Sequence, residues 1–311
     1  MPNSDKVKTT RIWLSLWSVY IIWGSTYYGI ALAIESMPPL LAMGTRFLAA
    51  TLILIIVLGL KNGWRYLIIP RNEFLNSSIM GGTLLGIAIG SVALGERYVP
   101  TGIAALIISA LPFWIAIFRT FDHDRPSNLS WLGVILGFIG VAFLLKPGSV
   151  SPLNGASTGV MLFWAMAIMV GNIGWSFGSY IAPRFPMPKN PMISTMYQML
   201  TGGLLLVILG VASGEEFAEF FDATRTSWAG WSYLTLVGSI VAYSSYVWLI
   251  SNAPIGLIST YAYVNPVIAI SLGALFLHEK ISISYIFGGA IVVLGVLIVV
   301  TIESRTASLK K

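Results

Sequence analysis

Gly95-Glu96-Arg97-Tyr98-Val99-Pro100-Thr101-Gly102, leading into Ser109-Ala110-Leu111-Pro112, returns later in the chain as Ser251-Asn252-Ala253-Pro254-Ile255-Gly256, leading into Tyr263-Val264-Asn265-Pro266. Pro100 and Pro254, Gly102 and Gly256, and Pro112 and Pro266 each lie 154 residues apart. Beyond the next connection Gly133 and Gly140 match Gly288 and Gly295 at an offset of 155, and earlier Trp23 matches Trp175 and Arg46 falls on Gln198 at 152. A nearly constant offset carried through apolar sequence marks an internal duplication, and duplications decide membrane folds.

The surrounding composition says what kind of unit is duplicated. Of 311 residues 56% are apolar and only 10% are charged, and the mean hydropathy is +0.82. A soluble domain is about 25% charged, and a disordered chain has far less apolar surface to hide. With 0 Cys, disulfides, thiol nucleophiles and cysteine metal sites are excluded, and 2 His leave little for a metal centre. No metal or other cofactor is expected.

The apolar runs are long and unbroken, without the alternating polarity of barrel strands, so they read as helices. A span needs about 20 such residues. Ten are expected, at 12–33, 39–60, 77–96, 101–119, 128–146, 157–182, 191–212, 228–251, 255–277 and 281–302. The first is read as an uncleaved span, because Trp23 and Tyr27 lengthen and burden it beyond a signal peptide. Phe217, Phe220 and Phe221 recur at helical spacing in the acidic connection 215–222, which predicts a short helix at the membrane interface.

Of the 18 Lys and Arg, thirteen fall on the tails and the even-numbered connections, four on the odd-numbered ones, and Arg46 lies inside a span. Positive charge stays on the cytoplasmic side, so both termini are expected there. The net charge of +6 is thus a topology signal, and no concentrated patch invites nucleic acid. The unit that repeats holds five helices, an odd number, so the second copy enters the membrane from the opposite side. The expected fold is an all-α integral membrane protein of two inverted five-helix repeats, 1–150 and 151–311.

A family resemblance rests on particular segments. Tyr20-Ile21-Ile22-Trp23-Gly24-Ser25-Thr26-Tyr27, followed by Glu35-Ser36-Met37-Pro38-Pro39-Leu40 and Arg46-Phe47, is similar to the opening of EamA-type members of the drug/metabolite transporter superfamily. Val99 to Leu106, Thr260 to Pro266, and His278-Glu279-Lys280 at the close of the ninth helix extend the likeness over about 12–302. The resemblance implies export of small metabolites, often amino acids or related compounds, across the bacterial inner membrane. It also implies a central cavity built mainly from helices one, three, four, six, eight and nine.

Those are the helices whose mid-depth residues are polar or aromatic, which in lipid normally face a bundle interior. The expected substrate contacts are Trp23, Ser25, Tyr27, Arg46, Ser91, Ser109, Trp164, Asn172, Trp175, Tyr243, Ser259, Tyr263 and Asn265. Trp and Tyr offer apolar contact with a polar handle and can hold cations. Arg46 could bind a substrate carboxylate or pair with Glu96. Pro112 and Pro266 each free a carbonyl within a helix and read as hinges. No acidic residue falls at mid-membrane, which disfavours a buried-carboxylate mechanism for cations. The expected function is therefore export by alternating access about a midplane cavity, as a monomer or weak dimer. Lipophilic cations form the second substrate class. An intramembrane enzyme is disfavoured, because His123 and His278 lie at opposite helix ends with no catalytic partner at mid-depth. A channel is disfavoured because nothing resembles a filter.

Overall fold

The computed structural model describes residues 2–121, 127–144, 151–253 and 255–309, and within helices the side chains of 2–8, 144, 255–256, 263, 300 and 303–309 fall outside that description. The described residues form helical rods joined by short turns. We number them α1 (2–33), α2 (Pro39–Asn62), α3 (Arg71–Gly95), α4 (Thr101–Phe121), α5 (Asn128–Leu144), α6 (Thr158–Arg184), α7 (Pro191–Ala212), α8 (Arg225–Asn252), α9 (255–276) and α10 (Ile283–Leu309). Six of them, α2, α3, α4, α6, α7 and α8, are long and apolar enough to cross a membrane. α5, α9 and α10 carry shorter apolar stretches, Asn128–Phe143, Val264–Phe276 and Ile283–Val299.

The helices start where chemistry lets them. Pro39 and Pro191 stand in the first turns of α2 and α7, where a missing N–H costs nothing. Asn190 and Thr224 accept the backbone N–H groups of Met192 and Ser227 at the starts of α7 and α8. α3 and α8 begin several residues before the apolar runs, because a polar first turn can stay helical once outside hydrocarbon. The short acidic helix is present as Phe217–Phe221: Phe220 is buried against Trp228 at 5.2 Å, while Phe217 and Phe221 are exposed. Glu215 just before it accepts the N–H groups of Leu40 and Leu41 at 3.0 and 2.7 Å, closing the N-terminus of α2. Glu279 accepts the N–H of Thr101 at 2.8 Å and does the same for α4.

Glycines set how closely helices approach. A Cβ on Gly133 of α5 would lie 2.8 Å from the Gly295 carbonyl oxygen, and one on Gly295 of α10 would lie 2.6 Å from that of Gly133. Gly44 of α2 and Gly203 of α7 meet in the same reciprocal way, at 2.9 and 3.0 Å. Small residues that let backbones touch are the usual means of association where there is no hydrophobic drive between helices. Besides these two pairs, α4 packs on α9, α1 on α8 and α9, and α6 on α3 and α4.

Two rods are interrupted, α4 at Ser109–Ala110 and α9 at Ser259–Thr260. Pro112 is the second residue after the first interruption, and Pro266 lies inside the helix Tyr261–Phe276. Both prolines are buried, so each sits in packed protein rather than facing lipid. Side chains serve the broken backbones. Asn172 of α6 donates its side-chain amide to the Ile107 carbonyl at 3.1 Å, while the Thr260 hydroxyl donates to the Leu257 carbonyl at 2.6 Å and is itself bonded by Tyr20 of α1. Tyr20 and Asn172 stand 152 residues apart, the spacing that separates Trp23 from Trp175.

The glycine contact can be tested directly. Gly295→Ile must push α10 off the α5 backbone and is expected to cost about 1–3 kcal/mol, read as a lowered Tm in detergent. Gly174→Ala, where a Cβ meets nothing within 4 Å, should leave Tm unchanged or slightly raised.

Candidate functional site

Seven helices meet around a central cavity. α1 supplies Trp23, Thr26 and Tyr27, α2 supplies Arg46 and Phe47, and α6 supplies Asn172 and Trp175. α8 adds Gly238, Ser239 and Tyr243, α9 adds Tyr261 and Asn265, and α3 and α4 give aliphatic wall from Leu85, Val92 and Ile108.

One end of the cavity is a cluster of rings. Trp23 meets Trp175 edge-on at 5.5 Å, Tyr261 edge-on at 5.3 Å, and Tyr246 at 4.7 Å. Trp175 meets Tyr243 at 6.3 Å, nearly perpendicular. Such edge and tilted pairs are favourable geometries for aromatic quadrupoles. Local backbone helps to place them: α1 and α8 widen into π-helix at Val19–Trp23 and Leu234–Tyr243, each segment ending on a ring of the cluster. α3 does the same at Gly81–Ala88, which borders the cavity through Leu85 and Ala88. π-turns shift the face a helix presents and recur at functional sites.

The rings are tied down by hydrogen bonds. The Tyr243 hydroxyl donates to Gln198 Oε1 at 2.5 Å, and Gln198 Nε2 donates to Ser194 at 2.8 Å. The Tyr246 hydroxyl accepts from Trp175 Nε1 at 3.2 Å and shares a bond with Ser179 at 2.8 Å. Beyond this layer lies a second cavity, bordered by Gln198, Tyr243 and Tyr246 and by Phe185, Met187 and Lys189 of the connection after α6. Tyr243 borders both spaces, so the layer is the partition between them.

The rest of the wall holds polar atoms without partners. Arg46 is 3% exposed, lies 4.5 Å from the Phe47 ring centre, and its Nε has no hydrogen-bond partner among the described residues. The same holds for Asn172 Oδ1, Asn265 Oδ1 and Ser239 Oγ. A buried polar atom left unsatisfied costs about 1–3 kcal/mol, so this wall favours any ligand that brings matching groups. Arg46 is the one ionisable cation among the described residues of the wall, and no carboxylate borders it. Glu96, at the end of α3, is also 3% exposed and acts electrostatically on Arg46. Outside the helices, burial pushes the Glu279 carboxyl above the usual carboxylate range, against the Thr101 N–H that holds it down.

Of the expected contacts, Trp23, Tyr27, Arg46, Asn172, Trp175, Tyr243 and Asn265 come together on this wall. Ser25, Ser91 and Ser109 do not border it. Ser25 bonds Tyr233 at 2.6 Å, while Ser91 and Ser109 turn back to the carbonyls of Ala88 and Leu106 in their own helices. Trp164 stacks on Tyr98 at 6.0 Å instead. Ser259 is buried at the α9 interruption, and the side chain of Tyr263 lies outside the described residues. Tyr261, Tyr246 and Gln198 were missed. Tyr246 follows Tyr243 by three, the spacing of one helix face, and Gln198 is the offset partner of Arg46.

Comparison with known proteins agrees with this architecture. The model of the EamA-like transporter family matches residues 12–146 and 162–301. An uncharacterised inner membrane transporter of Escherichia coli (strain K12), YedA, is 35% identical over 286 residues, 91% of this chain and 89% of that one. Protein PecM of Dickeya dadantii (strain 3937) is 24% identical, covering 93% of each chain. A solved crystal structure superposes with a TM-score of 0.66 at 17% identity, over 94% of this chain and 97% of that one, which shows a common fold.

The partition has a measurable energetic signature. Tyr243→Phe strands Gln198 Oε1 in a buried place and is expected to cost about 1–3 kcal/mol, read by thermal unfolding in detergent. Gln198→Leu added to it should recover only part of that loss, since it removes the unpaired Oε1 but also takes the Nε2 donor from the buried Ser194.

Proposed function

The chain belongs to the EamA-like transporter family, and on that premise we propose that it is a multi-pass secondary transporter of the bacterial inner membrane. It exports small organic metabolites, amino acids or related and partly aromatic compounds, by alternating access around the central cavity. The reading takes all ten rods as spans, arranged as two inverted five-helix repeats with both termini in the cytoplasm.

The observation that carries it is the partition: a central cavity lined from seven helices, closed by hydrogen-bonded rings from a second cavity beside the connection after α6. In the topology read from charge, that connection, with Arg184 and Lys189, faces the cytoplasm. Separating the Tyr243–Gln198 and Tyr246–Ser179 bonds would join the two spaces and admit substrate from inside. The helix pairings support the inverted repeat. Exchanging the halves turns the contacts of α1 with α8 and α9 into those of α6 with α3 and α4. The interruptions at Ser109 and Ser259, with Pro112 just after the first and Pro266 inside the helix that follows the second, supply places to bend.

Lipophilic cations remain the second reading, favoured by the five rings of Trp23, Trp175, Tyr243, Tyr246 and Tyr261. Arg46 on the same wall weighs against it, because a like charge in a dry cavity repels such a ligand.

Uptake into proteoliposomes separates the two. We expect a labelled aromatic amino acid or aromatic acid to enter through the wild type, and Trp175→Ala and Arg46→Ala each to lower the rate at least about tenfold, the effect of losing some 1.4 kcal/mol of binding. Uptake of a lipophilic cation, preserved or raised in Arg46→Ala, would reverse the choice of substrate class.

A further inference from the structure

Ser239 of α8 carries a hydroxyl that no described residue engages. It is 1% exposed, it borders the central cavity, and its Oγ has no hydrogen-bond partner among the described residues. Other buried serines return to a carbonyl of their own helix: Ser109 to Leu106, Ser176 to Asn172 and Ser179 to Trp175. That is the ordinary resort of a serine in a span. Ser239, inside the π-helical stretch Leu234–Tyr243, does not take it. The neighbouring helix is held in register there. Trp231 Nε1 of α8 donates to the hydroxyl of Thr45, the residue before Arg46 on α2, at 3.0 Å. Further along α8, Gly238 faces the guanidinium: a Cβ on it would lie 4.0 Å from Arg46 Nη1 and 3.3 Å from Thr26 Cγ2. Arg46, Thr26, Gly238 and Ser239 all border the one space. So α8 sets no side chain at 238 over the Arg46 head, and presents an unengaged hydroxyl at the next position.

A guanidinium offers only donors and keeps its charge. A hydroxyl on the facing helix adds one more donor. A carboxylate is the complement of that pair, because it has only acceptors, on two oxygens, and takes charge-assisted bonds from both groups. No carboxylate of the described residues borders the cavity to take those bonds first. We infer that Ser239 is a substrate-binding residue, donating its hydroxyl to one oxygen of a monocarboxylate whose other oxygen is held by Arg46. The inference rests on the reading of the central cavity as the substrate site. A carboxamide of the same shape brings one acceptor oxygen and no charge, so it forgoes the charge-assisted bonds, and the pair selects the acid over its amide. In the two-repeat reading α2 and α8 belong to different halves of the molecule. The bonds that recognise the substrate then also tie the halves together across the cavity.

Calorimetry of the purified full chain in detergent tests this with phenylacetate and its uncharged analogue phenylacetamide. The wild type should bind phenylacetate at least about tenfold more tightly than the amide. Ser239→Ala should weaken phenylacetate about tenfold and phenylacetamide less than about threefold. Its Tm without ligand should stay level or rise, because a buried hydroxyl with no partner has no bond to lose. Ser244→Ala removes another unpartnered buried hydroxyl of α8, one that does not border the cavity, and should change neither affinity. Equal weakening of both ligands by Ser239→Ala, or weakening of neither, overturns the inference, and so does a wild type that binds acid and amide alike. In those cases the cavity stands as the substrate site where Trp175→Ala weakens whatever binds. Binding that is the same in wild type and Trp175→Ala, or no binding of either ligand, overturns the reading of the cavity and the inference with it.

Discussion

Hydrocarbon offers a backbone nothing to bond to, and every feature of this molecule works within that constraint. A helix can be opened only where another part of the protein takes over its orphaned groups. The chain does this at α4, where Asn172 of α6 donates to the Ile107 carbonyl; at α9 the helix's own Thr260 hydroxyl serves the Leu257 carbonyl, and Tyr20 of α1 bonds that hydroxyl. It does so again at the starts of α2 and α4, with the carboxylates Glu215 and Glu279. These bonds join helices distant in sequence, so satisfying the backbone and assembling the bundle are one event. The cavity follows from it: interrupted helices cannot close-pack along their whole length.

The same economy governs polar side chains. Asn172 spends its amide nitrogen on a broken helix and leaves its oxygen without a partner on the cavity wall. Gln198 is fully engaged and closes the partition, whereas Arg46, its counterpart at an offset of 152, is left with an unpaired Nε. Of these two positions 152 apart, one side chain is satisfied within the structure and the other leaves its Nε open on the cavity wall.

Much of this was legible in the sequence. Polar and aromatic residues are too costly in lipid to sit in spans without cause, which singled out Trp23, Tyr27, Arg46, Asn172, Trp175, Tyr243 and Asn265. The rule fails for serine, whose hydroxyl can bond its own helix and so carries no information about direction; Ser91 and Ser109 do so. It is also blind to backbone geometry. The π-turns that set Trp23 and Tyr243 at the cluster have no marker in residue type, and neither has the α9 interruption after which Tyr261 stands first, whereas Tyr246 was marked by its spacing of three after Tyr243. Most helix rods were placed within a few residues, but α1 begins ten residues before its expected start at 12 and α10 ends seven after its expected end at 302, because where apolar sequence ends is not where helices end.

The glycine contact between α5 and α10 has a mechanical meaning. Helices usually lock through ridges of side chains seated in grooves, and to slide they must lift over one another. At Gly133 the Val299 and Ile298 side chains of α10 are such ridges, seated in the groove the glycine opens, and the Gly133 and Gly295 peptides touch beside them. A joint of that kind resists both pulling apart and sliding, and it ties α5 to α10 as one rigid seam.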